Sequence, residues 1–160
     1  MEEAGDSRLS CGVAWLAVAV STAIASFWAF WGVNENFHEG WYYRSLWRNV
    51  LLLLAQYLSP ALIVMAIGAV VLRWPRVAPA LLIGLAAACA WFFHFEAAGL
   101  ILIAAPLAAM GGLYYYGRPK PRRWAWRALI GLPTITALLC GIGPWWTAFR
   151  RLDDENYGSR

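Results

Sequence analysis

Charged residues are scarce in this chain of 160 residues: Asp, Glu, Lys and Arg together account for 14%, whereas hydrophobic residues account for 61%. A soluble domain of this length carries about 25% charged residues, because its surface must face water. The apolar residues also occur in long blocks, and the mean hydropathy is +0.53. The composition therefore excludes an ordinary soluble domain and predicts an all-α integral membrane protein, folded as a single helical bundle.

Lysine is almost absent, since Lys120 is the one example among 13 basic residues, and the net charge is +4. Half of the arginines lie beside apolar blocks, in RWPR at 73–76 and GRPKPRRWAWR at 117–127. That placement is typical of topology signals and of contacts with anionic lipids. We therefore predict the lipid bilayer as a partner and no nucleic acid. The arginine bias is typical of a GC-rich bacterial genome, which favours the bacterial cytoplasmic membrane.

Cysteine is also rare, and Cys11, Cys89 and Cys140 show no CxxC spacing. Because all three lie in apolar segments, we interpret them as buried free thiols. The first ten residues are acidic, and the apolar run at 11–33 is longer than the ~7–15 residues of a signal-peptide core. This run is therefore predicted to be a retained first span.

Five apolar blocks approach the roughly 20 residues that a helix needs to cross the hydrocarbon. The third and fourth form one run of about forty residues, which as a single helix would measure about 60 Å. The chain must therefore turn in a tight hairpin at 94–96, unless the third block is re-entrant and never crosses. The predicted spans are 11–33, 50–72, 78–94, 97–116 and 126–147.

Proline and glycine mark weak points in these spans. Pro60, Pro106 and Pro133 lie inside them, where a kink is tolerated if neighbouring groups satisfy the freed carbonyls. Gly141 and Gly143, followed by proline, predict the end of the fifth helix, and a solvated tail is expected after it.

The basic loop at 117–127 predicts the orientation, because basic loops remain in the cytoplasm. Five spans then place the N-terminus in the cytoplasm and the C-terminus outside. The segment 34–49 and the hairpin at 94–96 face outward in this arrangement.

Ionisable residues are missing from the middle of every predicted span, which argues against ion pumps, proton relays and voltage sensors. The sequence also contains no Walker loop, nucleotide-binding glycine fingerprint, HExxH motif or nucleophile elbow. The common signatures of membrane energetics and of catalysis are therefore absent.

The two histidines are predicted at the same outer face, and each has glutamate nearby. Glu35 and His38 are three residues apart, so a helix there would present both on one side, as di-iron carboxylate proteins do with their ExxH motifs. Three interpretations stay open: a hydrated or ion-paired rim, an organic-ligand or lipid-headgroup site, and a transition-metal site for Fe, Mn or Zn. The metal-ligand candidates are Glu35, His38, His94 and Glu96.

The stretch after Gly40 predicts a short interfacial amphipathic helix that lies on the membrane before the second span. Its Arg44 and Arg48 are candidates for a lipid phosphate or a carboxylate ligand, although anchoring is the commoner use of such a pattern. Gln56 and Tyr57 lie deeper, where they either floor an outward pocket or bond a neighbouring helix. The full set of candidate ligand-binding residues is Glu35, His38, Glu39, Arg44, Arg48, Gln56, Tyr57, His94 and Glu96.

The leading functional hypothesis is a non-enzymatic membrane protein: a subunit, scaffold or ligand-binding component with an outward-facing polar cap. A partner membrane subunit or a homo-oligomer would fit this role. The alternatives are a membrane-embedded enzyme that acts on a lipid or another apolar substrate through the His/Glu residues, and a small oligomeric transporter.

Overall fold

The described part of the chain is helical almost throughout, and no strand occurs within it. The computed structural model describes residues 2–39, 43, 45–75 and 77–157, with side chains described except at 2–8, 39, 78, 102, 103, 144, 145 and 147–157. The all-α prediction is thereby confirmed for these residues. In chain order the elements are α1 (Glu2–Glu39), α2 (Leu46–Leu52), a π-helical turn (Leu53–Tyr57), α3 (Ser59–Arg73), α4 (Ala78–Phe92), α5 (Ala97–Gly99), a second π-helical turn (Leu100–Ala104), α6 (Ala105–Tyr116), α7 (Arg122–Trp126), a third π-helical turn (Arg127–Gly131) and α8 (Leu132–Tyr157).

Two helices within the described residues are long and apolar enough to cross a membrane, Leu9–His38 and Arg122–Gly143. The helices Leu46–Tyr57 and Ser59–Arg73 are bent by 63° relative to each other, and they form a third candidate if the two together make one crossing. These lengths and compositions are those of a helical membrane protein, but they do not confirm five spans. The helix predicted as the third span has 15 residues, or about 22 Å against the ~30 Å of a bilayer core.

The first helix is longer than predicted. Helix α1 continues beyond the predicted span boundary at residue 33, through Glu39, and thus includes the first part of the predicted interfacial segment 34–49. The Asn34 side chain donates a 2.7 Å hydrogen bond to the carbonyl oxygen of Phe30, one turn earlier. Polar residues thus end the apolar stretch here without ending the helix, and Asn34 bonds back to the preceding turn.

The predicted span at 50–72 corresponds to two helices with a 63° bend between them, so it stays a prediction that both halves cross as one span. Helix α2 begins at Leu46, and the chain bends after Tyr57 instead of at the expected boundary before Val50. Pro60 explains the position of the bend, because proline has no N–H and its ring crowds the carbonyl four residues earlier. That carbonyl belongs to Gln56, and the Ser59 hydroxyl donates to its oxygen at 3.3 Å.

Proline also accompanies the two other π-helical turns. The turn at Leu100–Ala104 ends two residues before Pro106, and the turn at Arg127–Gly131 ends two residues before Pro133. A π-helical turn bonds each carbonyl to the N–H five residues later, so it accommodates backbone groups that proline leaves without an α-helical partner. Local rewinding thus accompanies all three prolines predicted to kink spans, and at Pro60 the chain bends as well.

The hairpin at 94–96 is confirmed. Helix α4 ends at Phe92 and α5 begins at Ala97. Between them His94 and Phe95 have positive φ angles of 51° and 59°, and the Phe95 N–H donates to the Ala90 carbonyl at 2.9 Å. The chain returns so closely that a Cβ at Gly111 of α6 would press on Ile83 and on the Pro79 carbonyl of α4.

The predicted end of the fifth helix near residue 147 is wrong. Helix α8 passes through Gly141, Gly143 and residue 144 and ends at Tyr157. Glycine in a helix costs about 1 kcal/mol relative to alanine, which a long helix tolerates. The expected solvated tail is therefore helical up to Tyr157.

The chain divides into two compact units. Unit 1 comprises 1–21 and 65–129, and unit 2 comprises 22–64 and 130–160, so that α1 contributes to both. The buried core of unit 1 consists of Ala17, Val18, Val71, Leu72, Leu82, Met110, Tyr114, Ala125 and Leu129.

Unit 2 contains a close backbone approach as well. A Cβ at Gly32 in α1 would overlap the carbonyl group of Tyr57, so only glycine fits at this crossing. At Gly141 in α8 a Cβ would make ordinary van der Waals contact, 3.7 Å from a methyl group of Val33. Close contact of backbones is the usual source of helix affinity in lipid.

Candidate functional site

The last turn of α1 carries the first group of predicted site residues. Because the helix continues through Glu39, Glu35 and His38 lie three residues apart on one helical face, with Glu35 half-buried and His38 exposed. The side chain of Glu39 and the whole of Arg44 fall outside the described residues. The helical condition for an ExxH pair is met, but such a pair supplies at most two ligands, and metal sites in proteins use three or more.

The second predicted group lies at the α4–α5 hairpin, where His94 and Glu96 are both exposed. Glu96 is the N-cap residue of α5, although its side chain makes no capping hydrogen bond. His94 follows the C-terminal end of α4, so both groups stand where a helix dipole favours their charge.

These two groups belong to different compact units, because Glu35 and His38 are in unit 2 whereas His94 and Glu96 are in unit 1. Among the described residues, no three side chains of His, Cys, Asp or Glu gather closely enough to hold a metal ion. The shared metal site with Fe, Mn or Zn therefore stays a prediction from the sequence.

The third predicted group surrounds the start of α2. The Arg48 guanidinium lies 6.0 Å from the centre of the Tyr43 ring, at the limit of a cation–π contact. Together with Leu51, Leu52 and Ala55 these residues line an open groove of about 390 Å³. Gln56 is exposed and Tyr57 is buried, and neither lines the groove, so they do not form its floor.

Asn49 is the residue in this region that the sequence interpretation missed. It is fully buried, and its side-chain amide donates to the Tyr43 carbonyl at 2.7 Å and accepts from the Tyr43 N–H at 3.0 Å. Two bonds to one residue fix the chain as it enters α2. An asparagine directly before the apolar run at 50–55 was the available signal, because buried amides need partners.

A different group of residues forms a partly enclosed cavity with a cationic rim, in unit 1. It has a volume of about 240 Å³ and lies between the end of α3, the end of α6 and the segment 117–122. Its rim carries three cationic side chains, those of Arg118, Lys120 and Arg122, and all three are exposed. Within the described part of the chain, no ion pair neutralises them. The remaining lining residues are Val71, Leu72, Pro75, Tyr114, Gly117 and Pro119.

The segment 117–120, here called the basic strap, is held against the first turns of α1. Ser10 Oγ donates to the Tyr116 carbonyl at 3.0 Å, and Trp15 Nε1 donates to the Lys120 carbonyl at 3.0 Å. Gly117 approaches so closely that a Cβ there would overlap the Ser10 carbonyl and the backbone nitrogen of Ala14. The strap is thus fixed by backbone contacts, which leaves its cationic side chains free for other partners.

The floor of the cavity is apolar and buried. Val71 and Leu72 are 2% and 3% exposed, and Tyr114 is 2% exposed. The Tyr114 hydroxyl is 3.1 Å from Ser21 Oγ, which itself donates to the Ala17 carbonyl at 2.8 Å. Since the Ser21 proton is used for Ala17, Tyr114 must be the donor in the bond between the two hydroxyls. This chain of two hydrogen bonds anchors the Tyr114 ring beneath the cationic rim.

Comparison of the chain with family models, with curated proteins and with solved structures gives no match. The chemistry of the site therefore rests on its geometry. Three cations above an apolar floor suit a ligand with an anionic group and an adjoining apolar part, because arginine and lysine bind phosphate oxygens and buried aliphatic side chains do not.

Proposed function

We propose that this chain is a non-enzymatic, multi-pass protein of the bacterial cytoplasmic membrane that binds an anionic phospholipid headgroup at its basic cavity. The observation that carries the proposal is the arrangement of Arg118, Lys120 and Arg122 around the cavity of about 240 Å³. At ~30 Å³ for a group the size of a water molecule, this volume accommodates about eight such groups, enough for a phosphate and adjoining glyceryl atoms. Cationic clusters beside membrane helices are typical binding sites for anionic headgroups.

The apolar floor favours a lipid headgroup over free phosphate. A free phosphate ion is polar on every side and would lose hydration against Val71, Leu72 and Tyr114 without compensation. A phospholipid presents charge on one side of its glycerol and hydrocarbon on the other, which matches the rim and the floor.

The proposed topology has five crossings, with the N-terminus and the basic cavity in the cytoplasm and the C-terminus outside. Its support comes from unit 1, where the start of α1, the end of α3 and the basic strap meet: Ser10 bonds Tyr116, and Pro75 lines the same cavity as Lys120. Segments that the positive-inside rule assigns to one side are thus close together. A partner subunit or a homo-oligomer remains part of this proposal.

The alternative is a membrane-embedded enzyme with a His/Glu site, and one observation favours it. The continuation of α1 through Glu39 places Glu35 and His38 on one helical face, the arrangement that a metal or an acid–base pair requires. Elemental analysis of the purified chain for bound metal distinguishes this alternative from the binding proposal.

The binding proposal is tested with the full chain purified in a neutral detergent, in which no surface charge attracts the protein. Native mass spectrometry then measures the affinity for phosphatidylglycerol and for phosphatidylcholine with the same acyl chains. Each arginine near an anionic headgroup contributes about 1 kcal/mol, so the double substitution Arg118→Gln/Arg122→Gln should weaken phosphatidylglycerol binding by roughly 30-fold.

The matched control is Arg123→Gln/Arg127→Gln, which removes the same charge from the same stretch. Neither residue lines the cavity, and Arg127 stacks on Trp124 with 5.0 Å between guanidinium and ring centre. The control should weaken binding by less than about threefold, since its charges lie outside the cavity. Equal losses in both variants, or no loss in the first, would contradict the proposal.

A further inference from the structure

A second cavity in unit 1 adjoins the basic one. It is an apolar groove of about 210 Å³ between α3 and α4, lined by Ala66, Ile67, Val70, Val71, Leu81, Leu82 and Leu85. Val71 lines both cavities, so the groove begins where the apolar floor of the basic cavity ends. No polar side chain belongs to the groove, and Leu81 and Leu85 are 60% and 44% exposed along its open side.

We infer that the two cavities form one composite site for an anionic phospholipid, with the phosphate at the basic rim and one acyl chain in the α3–α4 groove. This inference rests on the proposed function, because the headgroup must bind at Arg118, Lys120 and Arg122. Beyond that function, the composite site would bind both the charged and the apolar part of the lipid and would order one of the lipid's acyl chains.

The dimensions agree with such a ligand. A methylene group is about as large as a water molecule, so a groove of about 210 Å³ holds roughly seven of them at ~30 Å³ each. Seven methylenes are the upper half of an ordinary acyl chain, the part nearest the headgroup. The groove follows α3 away from its end at Arg73, the same direction in which a chain leaves its headgroup.

The two cavities contribute differently to binding. In a membrane the acyl chain is surrounded by hydrocarbon with or without the protein, so the groove offers contact by packing and no hydrophobic gain. Packing gains are ~0.1–0.2 kcal/mol for each pair of atoms. The basic rim therefore provides most of the affinity, and the groove selects a lipid whose chain fits beside Val71.

Filling the groove tests the inference. Ala66→Trp places a large side chain in the groove, while Ala87→Trp places the same side chain on an exposed position of α4 that does not line it. We expect Ala66→Trp to weaken phosphatidylglycerol binding roughly fivefold through lost packing, and Ala87→Trp to change it by less than about twofold.

A second measurement locates the acyl chain directly. Phosphatidylglycerol with a photoreactive diazirine in the upper half of one acyl chain is activated in the complex, and the crosslinked peptides are identified. We expect crosslinks concentrated at 66–70 and 81–85. Two controls use the same diazirine: phosphatidylcholine with the original protein, and phosphatidylglycerol with the Arg118→Gln/Arg122→Gln variant. In both, the yield of crosslinks at these two ranges should be at least about tenfold lower. Soluble glycerol 3-phosphate at millimolar concentration should fail to displace the lipid.

The outcomes separate the inference from the proposed function. If the arginine variant weakens binding but crosslinks scatter over the lipid-facing surface and Ala66→Trp behaves like Ala87→Trp, a headgroup site stands and the composite site is wrong. If glycerol 3-phosphate displaces the lipid, the site binds a soluble phosphate and the composite site is again wrong. If the arginine variant binds like the original protein, both proposals fail together.

Discussion

Gly117 provides the sharpest test of the basic strap. The substitution Gly117→Ala adds one methyl group where it would overlap the Ser10 carbonyl and the backbone of Ala14. Backbone atoms cannot turn away as a flexible side chain does, so the strap must retreat from α1. That retreat stretches the two 3.0 Å hydrogen bonds from Ser10 and Trp15 towards the 3.5 Å at which a hydrogen bond is lost.

The expected loss of stability in Gly117→Ala follows from these contacts. Two hydrogen bonds at about 1 kcal/mol each contribute about 2 kcal/mol, and residual overpacking adds about 1 kcal/mol, the lower end of its usual range. A loss near 3 kcal/mol lowers the melting temperature of a chain of this size by roughly 6–12 °C. Melting is followed by circular dichroism in detergent, because the fold is helical.

Gly112→Ala is the control for this measurement. Gly112 lies in α6, five residues from Gly117, and a Cβ there meets nothing within 4 Å. Alanine in a helix is favoured over glycine by up to about 1 kcal/mol, so the control should melt at the original temperature or slightly above. If Gly117→Ala melts within about 1 °C of Gly112→Ala, the close approach of the strap to α1 is refuted.

A local measurement accompanies the melting curve. The Cys11 sulfur lies 3.8 Å from the Lys120 carbonyl oxygen, so retreat of the strap uncovers the thiol. In a background in which Cys89 and Cys140 are replaced by alanine, Gly117→Ala should speed the reaction of Cys11 with a water-soluble maleimide several-fold. An unchanged reaction rate of Cys11 would show that the substitution does not move the strap away from α1.

Three further predictions concern unit 2, the metal and the topology. Asn49→Ala should cost about 2 kcal/mol of stability because both bonds to the Tyr43 backbone are lost. Asn49→Asp should cost at least as much, because a buried carboxylate oxygen would face the Tyr43 carbonyl oxygen with no proton to share; melting of either variant at the original temperature would contradict this pairing. Elemental analysis of the purified chain tests the enzyme alternative. If that alternative holds, metal is present at a fixed stoichiometry, and the stoichiometry falls in His38→Ala and in His94→Ala. Metal at background level rules out a metal-dependent enzyme. A maleimide added from outside should label cysteines introduced at 38 and at 95 in a background without the native cysteines. If neither cysteine is labelled, the orientation is opposite to the proposed one.

The hairpin was predictable from the sequence because it follows from length alone. A run of about forty apolar residues cannot continue as one helix in a membrane of ~30 Å, and the polar residues around Phe95 mark the turn. The all-helical fold was predictable for a similar reason, since apolar blocks of this length have few other solutions in lipid.

The helix boundaries were less predictable, because polarity and helicity are separate properties. The stretch at 34–39 leaves the apolar pattern but stays helical, with Asn34 bonded back to Phe30. Pro60 signalled a break in the second apolar block, but its position after Tyr57 depends on how the π-helical turn at Leu53–Tyr57 absorbs the missing N–H.

The basic cavity could not be derived from the sequence. Its cationic residues were visible as a topology signal, yet a cavity requires that segments far apart in the chain meet, here Ser10, Pro75 and Lys120. The candidate residues at 35–39 and 94–96 were grouped because histidine and glutamate are unusual in this composition. Unusual residue types attract attention in a sequence, whereas a site depends on which side chains the backbone brings together.

The length of α1 determines how far His38 stands from the hydrocarbon. The apolar part of the helix, Leu9–His38, has 30 residues and measures about 45 Å. An average tilt of about 20° reduces this to about 42 Å along the membrane normal, which equals the full thickness of a bilayer with both headgroup layers, ~40–45 Å. The helix is therefore mismatched to the hydrocarbon core but matched to the entire membrane. In the proposed topology the His38 imidazole would therefore lie at the aqueous edge of one headgroup layer, and Ser10, the anchor of the basic strap, at the edge of the other.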